Sequence, residues 1–574
     1  MNRARIDFRS EGVHFFTKIS RQFVAHDLAD VRAVITAAEA AAAGGATVVG
    51  YIAYDAAPAF DSALACRELD LPLAWFGVCG ETAPIERSAA SLSPLVPAIS
   101  ASTYRRHMAD IHQRIKDGET YQVNYSFGMH GTLTGSPMAL FQDLCPTTQL
   151  GYFACIETED WSLISLSPEL FFKREGTTLT CRPMKGTRPR GLSTSQDDAL
   201  AHELASSEKD RAENVMIVDL LRNDLGRIAD FGSVEPTALF EVERHPTVLQ
   251  MTSTVSAKIS EATTLWDCLQ ALFPCGSVTG TPKVQTMGLI DQLEEAPRGA
   301  YCGAIGCLLP DGRSLFNVAI RTLQVAADGR AHYRVGSGVI ADSATQLEYA
   351  ECLLKAQIMQ RPQPRFSLLE TMISLPGEGI WLLDRHLARL ADSASYFGFA
   401  LDLPALRERL RHRQDQEPTR LRLTCDPQGR VELTASAVST PRSQTLHCLT
   451  GEPWRLKVVP DSVHSQDLFL RHKTTHRLAY DTARQSAPAA DDVILVNERG
   501  ECTETSIGNL AVLLRGQWLT PPIDCGLLAG TLRSELLASG ELVEAPITPQ
   551  DLPRSDALAI LNSVRGVIPA IASA

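Results

Sequence analysis

The sequence predicts an α+β protein with two domains, on three observations. Its 574 residues exceed the length at which a single hydrophobic core stops growing. Apolar strand-like runs such as Thr47–Tyr54 alternate with amphipathic helical stretches such as Ser100–Asp117. A charged, proline-rich break then ends the first pattern, and a new one starts at Phe366. We therefore expect domains over residues 1–360 and 366–574, joined by a linker at 361–365.

The composition is that of an ordinary globular protein and argues against several functional classes. The net charge of -13 argues against general nucleic-acid binding. No uncharged apolar run is long enough to span a membrane, and the N-terminus MNRARIDFRSEG lacks the apolar core of a signal peptide. Fourteen cysteines without a C-x-x-C pair predict free thiols rather than disulfides or zinc ligands. We expect a cytoplasmic protein that binds neither membrane nor nucleic acid.

Two strands near residue 170 enclose a glutamate. Trp161–Leu166 reads as a strand that runs into Ser167-Pro168-Glu169, and Leu170–Arg174 reads as the next strand. A carboxylate held between two strands is suited to acid–base chemistry. The simpler alternative is a solvated turn glutamate, and the residues alone leave it open.

Two helical patterns carry paired carboxylates. The pattern over Ala199–Arg222 places Asp210 and Glu213 on one face, and the pattern over Gln346–Lys355 does the same for Glu348, Glu351 and Lys355. Each helix alone is most simply a solvated face. The two pairs could instead converge on a hard cation such as Mg²⁺, which prefers oxygen ligands.

A lysine lies among three arginines in the stretch CRPMKGTRPRG at residues 181–191. Prolines and glycines predict a rigid, non-helical loop here. Guanidinium groups cannot deprotonate, so their charge is expected to lower the pKa of Lys185. Lowering a lysine pKa from about 10.4 to about 7 requires about 4 kcal/mol. A basic surface loop is the alternative.

A second glycine-rich stretch, FPCGSVTGTPK at residues 273–283, has the wrong spacing for a Walker A loop, which argues against an NTPase. Thr281 as N-cap and Pro282 at the first helical position would start a helix through Leu293, with N–H groups exposed to an anion. Downstream, Arg321 lies in an apolar strand pattern, where its charge needs an anionic partner.

The stretch MKGTRPRG at residues 184–191 resembles the signature of the chorismate-utilising enzymes. Its lysine is similar to the aminodeoxychorismate synthase branch, whereas anthranilate synthases usually have alanine there. The resemblance extends over residues 1–360 and implies a chorismate-binding domain of packed β-sheets with helical layers. It implies that Lys185 is a covalent nucleophile, that Glu169 exchanges protons with the substituent at ring carbon four, and that Glu213 and Glu351 bind Mg²⁺ with Asp210 and Glu348 as outer neighbours. The implied chorismate-binding positions are Gly276, Thr279, Gly280, Thr281, Tyr301, Arg321, Gly336, Gly338 and Lys355.

Two glutamines discriminate among the reactions of this family. Members that add water carry a lysine base where this chain has Gln122, which favours ammonia as the nucleophile. Many members have a histidine associated with pyruvate loss where this chain has Gln250, which weakens the case for pyruvate elimination in this domain. The expected product is 4-amino-4-deoxychorismate. The chain has no G-x-C-x-G-x-Q glutaminase motif, so ammonia would come from solution or a separate glutamine amidotransferase subunit.

The second half resembles the fold-type IV pyridoxal-phosphate enzymes, specifically the aminodeoxychorismate lyases. The resemblance rests on an ordered set of stretches that includes RHKTTHR at 471–477, TETSIGNL at 503–510 and GLLAGTLR at 526–533. It implies a two-lobed domain in which Lys473 bonds pyridoxal phosphate, Glu504 faces its pyridine nitrogen, and Arg389, Thr531 and Leu532 hold its phosphate. It also implies a homodimer through this domain. Taken alone, Lys473 would be a solvated lysine.

The two resemblances together predict bifunctional synthesis of 4-aminobenzoate, a folate precursor. The first half would aminate chorismate and the second would eliminate pyruvate. The alternative is an anthranilate synthase component I-like enzyme with an appended D-amino-acid or branched-chain aminotransferase domain. A binding or regulatory protein on an inactive chorismate fold would lack site residues, whereas this chain keeps them.

Overall fold

The computed structural model describes residues 2–83, 89–145, 150–360, 364–439 and 443–573. The chain divides into two compact units, one of residues 1–189 and 200–363 and one of residues 190–199 and 364–574. Residues 361–363 of the predicted linker lie outside the described residues. The second unit thus takes one short segment from within the first half of the sequence.

The first unit contains nineteen strands within its described residues. They are β1 (Arg3–Phe8), β2 (Val13–Ala25), β3 (Val48–Ile52), β4 (Ala74–Thr82), β5 (Ala90–Leu92), β6 (Val96–Pro97), β7 (Gln122–Gly135), β8 (Tyr152–Glu157), β9 (Trp161–Ser167), β10 (Leu170–Glu175), β11 (Thr178–Arg182), β12 (Met184–Pro189), β13 (Glu235–Arg244), β14 (Val248–Lys258), β15 (Gly280–Thr281), β16 (Ala304–Leu308), β17 (Ser314–Val318), β18 (Thr322–Ala326) and β19 (Arg330–Val339).

The α-helices described up to residue 360 are α1 (Val31–Ala43), α2 (Ala57–Phe60), α3 (Ala101–Lys116), α4 (Pro137–Leu144), α5 (Thr194–Ser206), α6 (Glu208–Gly226), α7 (Leu265–Leu272), α8 (Lys283–Leu293) and α9 (Thr345–Ala356). The first residues of α5 belong to the second unit.

The strands of the first unit form one antiparallel hydrogen-bonded series. Its order is β15-β7-β19-β18-β9-β8-β1-β2-β4-β3-β16-β17-β10-β11-β14-β13. Strand β12 pairs with β14, and β5 and β6 pair with β7. The register of β7 against β15 and β19 places Gln122 opposite Thr281 and Asn124 opposite Gly338.

Three apolar cores confirm the packed sheets and helical layers. One core consists of residues on or beside strands, among them Ile6, Tyr51 and Leu163. The other two bury helices against strands: α1, α6 and α7 in one, and α3, α4 and α9 in the other. Strands are therefore buried both against strands and against helices, as an α+β domain requires.

The second unit has two separate sheets, in agreement with the predicted two lobes. The first sheet is antiparallel, in the order β21-β20-β22-β23, and the second has the order β26-β25-β24-β31-β30-β27-β28-β29. The strands are β20 (Leu368–Leu375), β21 (Gly379–Ile380), β22 (Thr419–Cys425), β23 (Val431–Ala437), β24 (Trp454–Val459), β25 (Asp492–Val496), β26 (Cys502–Thr505), β27 (Asn509–Leu514), β28 (Gln517–Thr520), β29 (Val543–Glu544), β30 (Ala557–Asn562) and β31 (Gly566–Ser573). The helices are α10 (Leu383–Phe397), α11 (Leu403–Arg411), α12 (Leu478–Gln485) and α13 (Thr531–Ala538).

Two stretches have a local structure that differs from the prediction, in addition to the helix cap predicted at Thr281. The pattern at Ala199–Arg222 is not one helix, because Ser207 ends α5 and caps α6 by accepting a hydrogen bond from the Asp210 N–H. The stretch at residues 181–191 is not a loop, because it forms the end of β11 and the whole of β12. By contrast, α3 (Ala101–Lys116) agrees with the helix predicted over Ser100–Asp117, and the Ser100 side chain caps it by accepting from the Thr103 N–H.

The fourteen cysteines are all free, as predicted. Ten are buried and Cys448 alone is exposed. In the described part of the chain, no helix is both long and apolar enough to cross a membrane.

Candidate active sites

Lys185 lies on β12, which pairs with β14. The Gln250 side chain on β14 fastens β12 on either side of Gly186: its Nε2 donates to the Gly186 carbonyl at 2.9 Å, and its Oε1 accepts from the Thr187 hydroxyl at 3.0 Å. Gly186 has a φ of 90°, a conformation that favours glycine. Gln250 therefore fixes the strand that carries the lysine.

Burial is the main cause of the lowered pKa of Lys185. The charge of Lys355 lowers it further, while Glu213, Glu169 and Glu351 raise it. The direction matches the prediction, but the predicted cause, crowding by arginines, is wrong. The three arginines are each engaged by carboxylates: Arg182 by Glu243 at 2.7 Å, Arg188 by Asp210 at 2.9 Å and Arg190 by Asp197 at 2.7 Å.

Glu169 follows β9 and precedes β10, and its side chain is buried. The Ser277 hydroxyl donates to its Oε1 at 2.9 Å. Burial raises the pKa of Glu169 to about 7, while Ser277 and the charge of Lys185 oppose that rise. The carboxyl group can therefore carry or release a proton near neutrality, and the solvated turn glutamate is ruled out.

The glycines of β19 leave room for a ligand beside the lysine. A Cβ on Gly338 would lie 3.1 Å from Lys185 Nζ and 3.2 Å from Gln122 Nε2. The Gln122 amide nitrogen is buried and has no hydrogen-bond partner among the described residues. Lys185 and Gln122 therefore face one point, next to a position without a side chain.

Gly336, two residues earlier, brings in two more predicted residues. A Cβ there would lie 2.8 Å from the Tyr301 hydroxyl, and Lys355 Nζ donates to the Gly336 carbonyl at 3.0 Å. Lys355 also pairs with Glu351 at 2.7 Å. Strand β19 thus has Lys185 beside Gly338, and Tyr301 and the Lys355–Glu351 pair beside Gly336.

The stretch with Gly276, Thr279, Gly280 and Thr281 is buried except at Thr281, which is part-buried. Thr281 belongs to β15, and Pro282 is the N-cap of α8, so the prediction of Thr281 as N-cap is wrong. A Cβ on Gly280 would lie 2.1 Å from the Gln122 carbonyl oxygen, so the close pairing of β15 with β7 requires glycine.

In the part of the chain that the structure describes, Arg321 is a cation with no anionic side chain paired to it. Its backbone has a φ of 50°, and burial lowers the pKa of its guanidinium. Within the described residues, the guanidinium has no ion pair or hydrogen bond with another side chain. A buried guanidinium in this state can receive a carboxylate in a bidentate contact.

Of the four carboxylates predicted around Mg²⁺, Glu213 and Glu351 lie near Lys185. Glu213 on α6 and Glu351 on α9 are both near enough to affect the lysine pKa. Asp210, a predicted outer neighbour, is held by Arg188, and Glu348 is part-buried. Among the described residues, no three acidic, histidine or cysteine side chains are grouped as a metal site. Two carboxylates fit Mg²⁺, which commonly keeps several waters and binds one or two carboxylates beside a substrate anion.

In the second unit, Lys473 follows a buried histidine, and its carbonyl accepts from the Leu369 N–H of β20 at 2.9 Å. Burial lowers the pKa of Lys473 to about 8, Arg389 and Arg477 add to the lowering, and Glu370 and Glu504 oppose it. The amine makes no hydrogen bond or ion pair within the described ranges. It is thus partly neutral at physiological pH and free to react.

Glu504 on β26 is buried, and burial raises its pKa to about 7. Its Oε1 accepts from the Tyr480 hydroxyl at 2.7 Å and from the Leu528 N–H at 3.0 Å, and its Oε2 accepts from Asn509 Nδ2 at 3.0 Å. These bonds hold the carboxyl group in one orientation.

Arg389 and the start of α13 are the predicted phosphate contacts. The Arg389 guanidinium donates to both oxygens of Glu370, at 2.8 and 2.7 Å, and to the Ala529 carbonyl at 3.0 Å. Because a guanidinium has five N–H groups, two remain for an anion. Helix α13 begins at Thr531 and Leu532 after the N-cap Gly530, so its first N–H groups are open to the same anion.

Family models match both halves of the chain. The chorismate binding enzyme model matches residues 81–361, and the amino-transferase class IV model matches residues 367–572. Each half of the chain thus contains a domain that one of these two models matches. The predicted resemblances are confirmed at this level.

Curated relatives match the chorismate-binding half. The chain is 40% identical over 251 residues to aminodeoxychorismate synthase component 1 of Bacillus subtilis, which covers 44% of this chain and 53% of the relative. It is 40% identical over 249 residues to an anthranilate synthase component 1 of Haloarcula marismortui, covering 43% and 51%. The chain spans about half the length of these relatives, and the two activities match it at the same identity.

Solved structures share the fold of this half. Anthranilate synthase component I from Streptococcus pneumoniae is 25% identical with a TM-score of 0.51, over 62% of this chain and 90% of that one. The menaquinone-specific isochorismate synthase from Escherichia coli is 16% identical with a TM-score of 0.51, over 63% of this chain and 89% of that one.

Sequence reasoning missed several side chains that hold these sites. Ser277 lies in the glycine-rich stretch at residues 273–283, but no sequence pattern distinguishes it, although its hydroxyl donates to Glu169. Glu370 and Tyr480 also went unassigned. The role of a buried polar side chain depends on its hydrogen-bond partner. Sequence spacing does not identify a partner that is distant along the chain.

Proposed function

We propose that the chain makes 4-aminobenzoate in two steps. The first unit aminates chorismate to 4-amino-4-deoxychorismate, and the second eliminates pyruvate from that product. The observation that supports the first step best is a lysine of lowered pKa and a carboxyl group of pKa about 7 whose charges interact in one buried site. A nucleophile and a proton donor are the pair that this amination needs.

In the first step, the neutral Lys185 amine attacks ring carbon two of chorismate. Glu169 gives a proton to the hydroxyl group that leaves carbon four. Ammonia then adds at carbon four as the lysine leaves carbon two. The proton that the added nitrogen loses returns to Glu169, so both the free amine and the carboxylic acid are regenerated. The Arg321 guanidinium and the Lys355 amine are the cations that would hold the carboxylates of the substrate.

The side chain at residue 122 supports ammonia rather than water as the nucleophile. Gln122 cannot act as a general base, because an amide does not take up a proton near neutral pH. Its unpartnered Nε2 can instead donate a hydrogen bond to the substrate. Both side-chain groups of Gln250 are used in hydrogen bonds to Gly186 and Thr187 that fix β12. This residue therefore takes the place of the histidine that is associated with pyruvate loss, which supports a reaction without pyruvate loss at this site.

We also propose Mg²⁺ as the cofactor of the first unit. Glu213 and Glu351 would hold it, since both carboxylates lie near Lys185. When bound, Mg²⁺ would supply a positive charge that neutralises a substrate carboxylate.

Pyridoxal phosphate is the proposed cofactor of the second unit, where it would supply an electron sink. Its phosphate would be held by Arg389 and the N–H groups of Thr531 and Leu532. Glu504 would face the ring nitrogen, and its pKa of about 7 allows it to share a proton there. Lys473 would hold the cofactor and then remove the proton from carbon four of the substrate, since its pKa of about 8 leaves part of it neutral.

The proposed partners follow from this chemistry. Ammonia would come from a separate glutamine amidotransferase subunit, because the chain lacks the G-x-C-x-G-x-Q motif. A cytoplasmic homodimer through the second unit remains our prediction from the fold-type IV resemblance.

The deciding experiment incubates the purified chain with chorismate, ammonium, Mg²⁺ and pyridoxal phosphate and identifies the products. We expect 4-aminobenzoate and pyruvate. Anthranilate would contradict the first step, since it requires amination at carbon two. Accumulation of 4-amino-4-deoxychorismate would contradict the second step, and transfer of its amine to a 2-oxoacid would make the second unit an aminotransferase.

A further inference from the structure

A single buried carboxylate joins two helices of the second unit. Glu370 on β20 is 1% exposed. Both of its oxygens accept from Arg389 on α10, at 2.8 Å from Nε and 2.7 Å from the terminal nitrogen. This two-point contact fixes the plane of the guanidinium as well as its position.

The same carboxylate also contacts a buried histidine. Glu370 Oε2 lies 2.7 Å from Nδ1 of His386, one turn before Arg389 on α10. The other ring nitrogen, Nε2, lies 3.4 Å from the hydroxyl of Thr531, the first residue of α13. Glu370 is thus linked directly to α10 and, through His386, to the first turn of α13.

Charge fixes the direction of these hydrogen bonds. Burial alone would raise the pKa of Glu370, but the charge of Arg389 and the hydrogen bonds from Arg389 and His386 hold it near 2, so the group is ionised. Burial lowers the pKa of His386, so its ring is neutral at pH 7. A neutral ring whose Nδ1–H donates to the carboxylate must accept at Nε2, and the Thr531 hydroxyl is the donor there.

We propose that Glu370 is a positioning residue for the phosphate end of the cofactor site. It holds the Arg389 guanidinium on α10 in place directly, and it holds the N-terminus of α13 in place through His386. The two groups of donors then have the geometry that one phosphate group requires. This inference rests on the proposed function, because it takes pyridoxal phosphate as the ligand.

An opposing electrostatic effect makes the proposal testable. A carboxylate beside a phosphate site repels the anion and neutralises part of the Arg389 charge. If Glu370 acted only through its charge, its removal would strengthen phosphate binding. If it acts by positioning, its removal weakens binding because the donors no longer converge.

The test is the change Glu370→Gln in the full chain, which keeps the size of the side chain. Pyridoxal phosphate and pyridoxal, which lacks the phosphate, are titrated separately and binding is followed by absorbance. We expect affinity for pyridoxal phosphate to fall about tenfold or more, the loss typical of a charge-assisted hydrogen bond, and affinity for pyridoxal to stay within about twofold. Inorganic phosphate should compete with pyridoxal phosphate less well in the variant.

The chain offers a matched control. Glu535 on α13 pairs with Arg385 on α10 at 2.5 Å, so Glu535→Gln also removes a carboxylate between the same two helices, but at an exposed site. It should leave both affinities unchanged. A second variant, Glu370→Asp, keeps the charge and shortens the reach, so it should weaken pyridoxal phosphate binding as well.

Each outcome decides a different point. Equal losses for pyridoxal phosphate and pyridoxal would show a merely structural role and overturn the proposal, and so would unchanged or tighter phosphate binding. Binding of neither compound by the unaltered chain would instead contradict the proposed function. Chorismate amination, carried by the other unit, should be unchanged in every variant and so reports on folding.

Discussion

Lys185 and Lys473 lie in two unrelated folds, yet burial is the largest influence on the pKa of each. The charged side chains around the two lysines differ in their balance of positive and negative charge. Three carboxylates, opposed by one ammonium, surround Lys185, whereas two guanidiniums and two carboxylates surround Lys473. In both sites, burial lowers the lysine pKa and so favours the neutral, reactive form of the amine. The surrounding charges determine whether each site can also bind a cation or an anion.

The difference accords with the two proposed cofactors. An excess of negative charge around Lys185 suits a cation, and Mg²⁺ would be bound beside it. The guanidiniums at Lys473 suit an anion, and a phosphate would be bound beside it.

Lys473→Ala should abolish the second step while sparing the first. The rate of 4-aminobenzoate formation should fall at least about a thousandfold, because Lys473 is the amine proposed to take the proton. Chromatography should show 4-amino-4-deoxychorismate accumulating at the normal rate. Lys457→Ala, at an exposed position of β24, serves as the control. Loss of both steps together would show that the two lysines do not act separately.

Lys185→Ala should give the reverse pattern. Amination of chorismate should fall by about two to three orders of magnitude, since ammonia would then lack a covalent route. Supplied 4-amino-4-deoxychorismate should still be converted to 4-aminobenzoate. The exposed Lys258 on β14 gives a control alanine variant. Undiminished amination would mean that Lys185 is not the nucleophile and that burial alone does not identify one.

Glu169→Gln should change the pH dependence of the first step. A pKa raised to about 7 means that the proton needed by the leaving hydroxyl is present below pH 7 and lost above it. At constant free ammonia, the rate in the unaltered chain should fall as pH rises through about 7. The variant should be slower by about a hundredfold and lack that decline. Glu175→Gln, at the exposed end of β10, should keep the normal profile.

Gly338→Ala should have the smallest effect. The new methyl group would lie 3.1 Å from Lys185 Nζ and 3.2 Å from Gln122 Nε2, so both flexible side chains must shift by a few tenths of an ångström. We expect amination to slow about tenfold, with the melting temperature nearly unchanged. Gly288→Ala, where a Cβ meets nothing within 4 Å, is the control. An unaltered rate would place the substrate elsewhere.

The sequence predicted those features that depend on local patterns. The amphipathic helix over Ser100–Asp117 and the strands that flank Glu169 follow from hydrophobic periodicity and β-propensity. The two family resemblances were also correct, because the stretches at residues 184–191, 471–477, 503–510 and 526–533 contain residues whose order is specific to these families.

Features that depend on distant partners could not be predicted. The cause of the Lys185 pKa shift was misassigned because three adjacent arginines suggest crowding, whereas their carboxylate partners come from elsewhere in the chain. Thr281 looked like a helix cap, but its pairing with Gln122 on β7 draws it into a strand. At Lys185, ion pairs with distant carboxylates neutralise the neighbouring arginines. At Thr281, strand pairing overrides the local preference for a helix cap.

The burial of most cysteines has a practical consequence for anyone who studies the chain in solution. Thiols such as Cys155, Cys181 and Cys307, enclosed in apolar surroundings that disfavour the thiolate, should react slowly with alkylating reagents. Cys448 is exposed, so a brief treatment with a maleimide dye should label it first. The natural sequence thus supplies its own attachment point for a fluorophore, without the removal of thirteen other sulfhydryl groups.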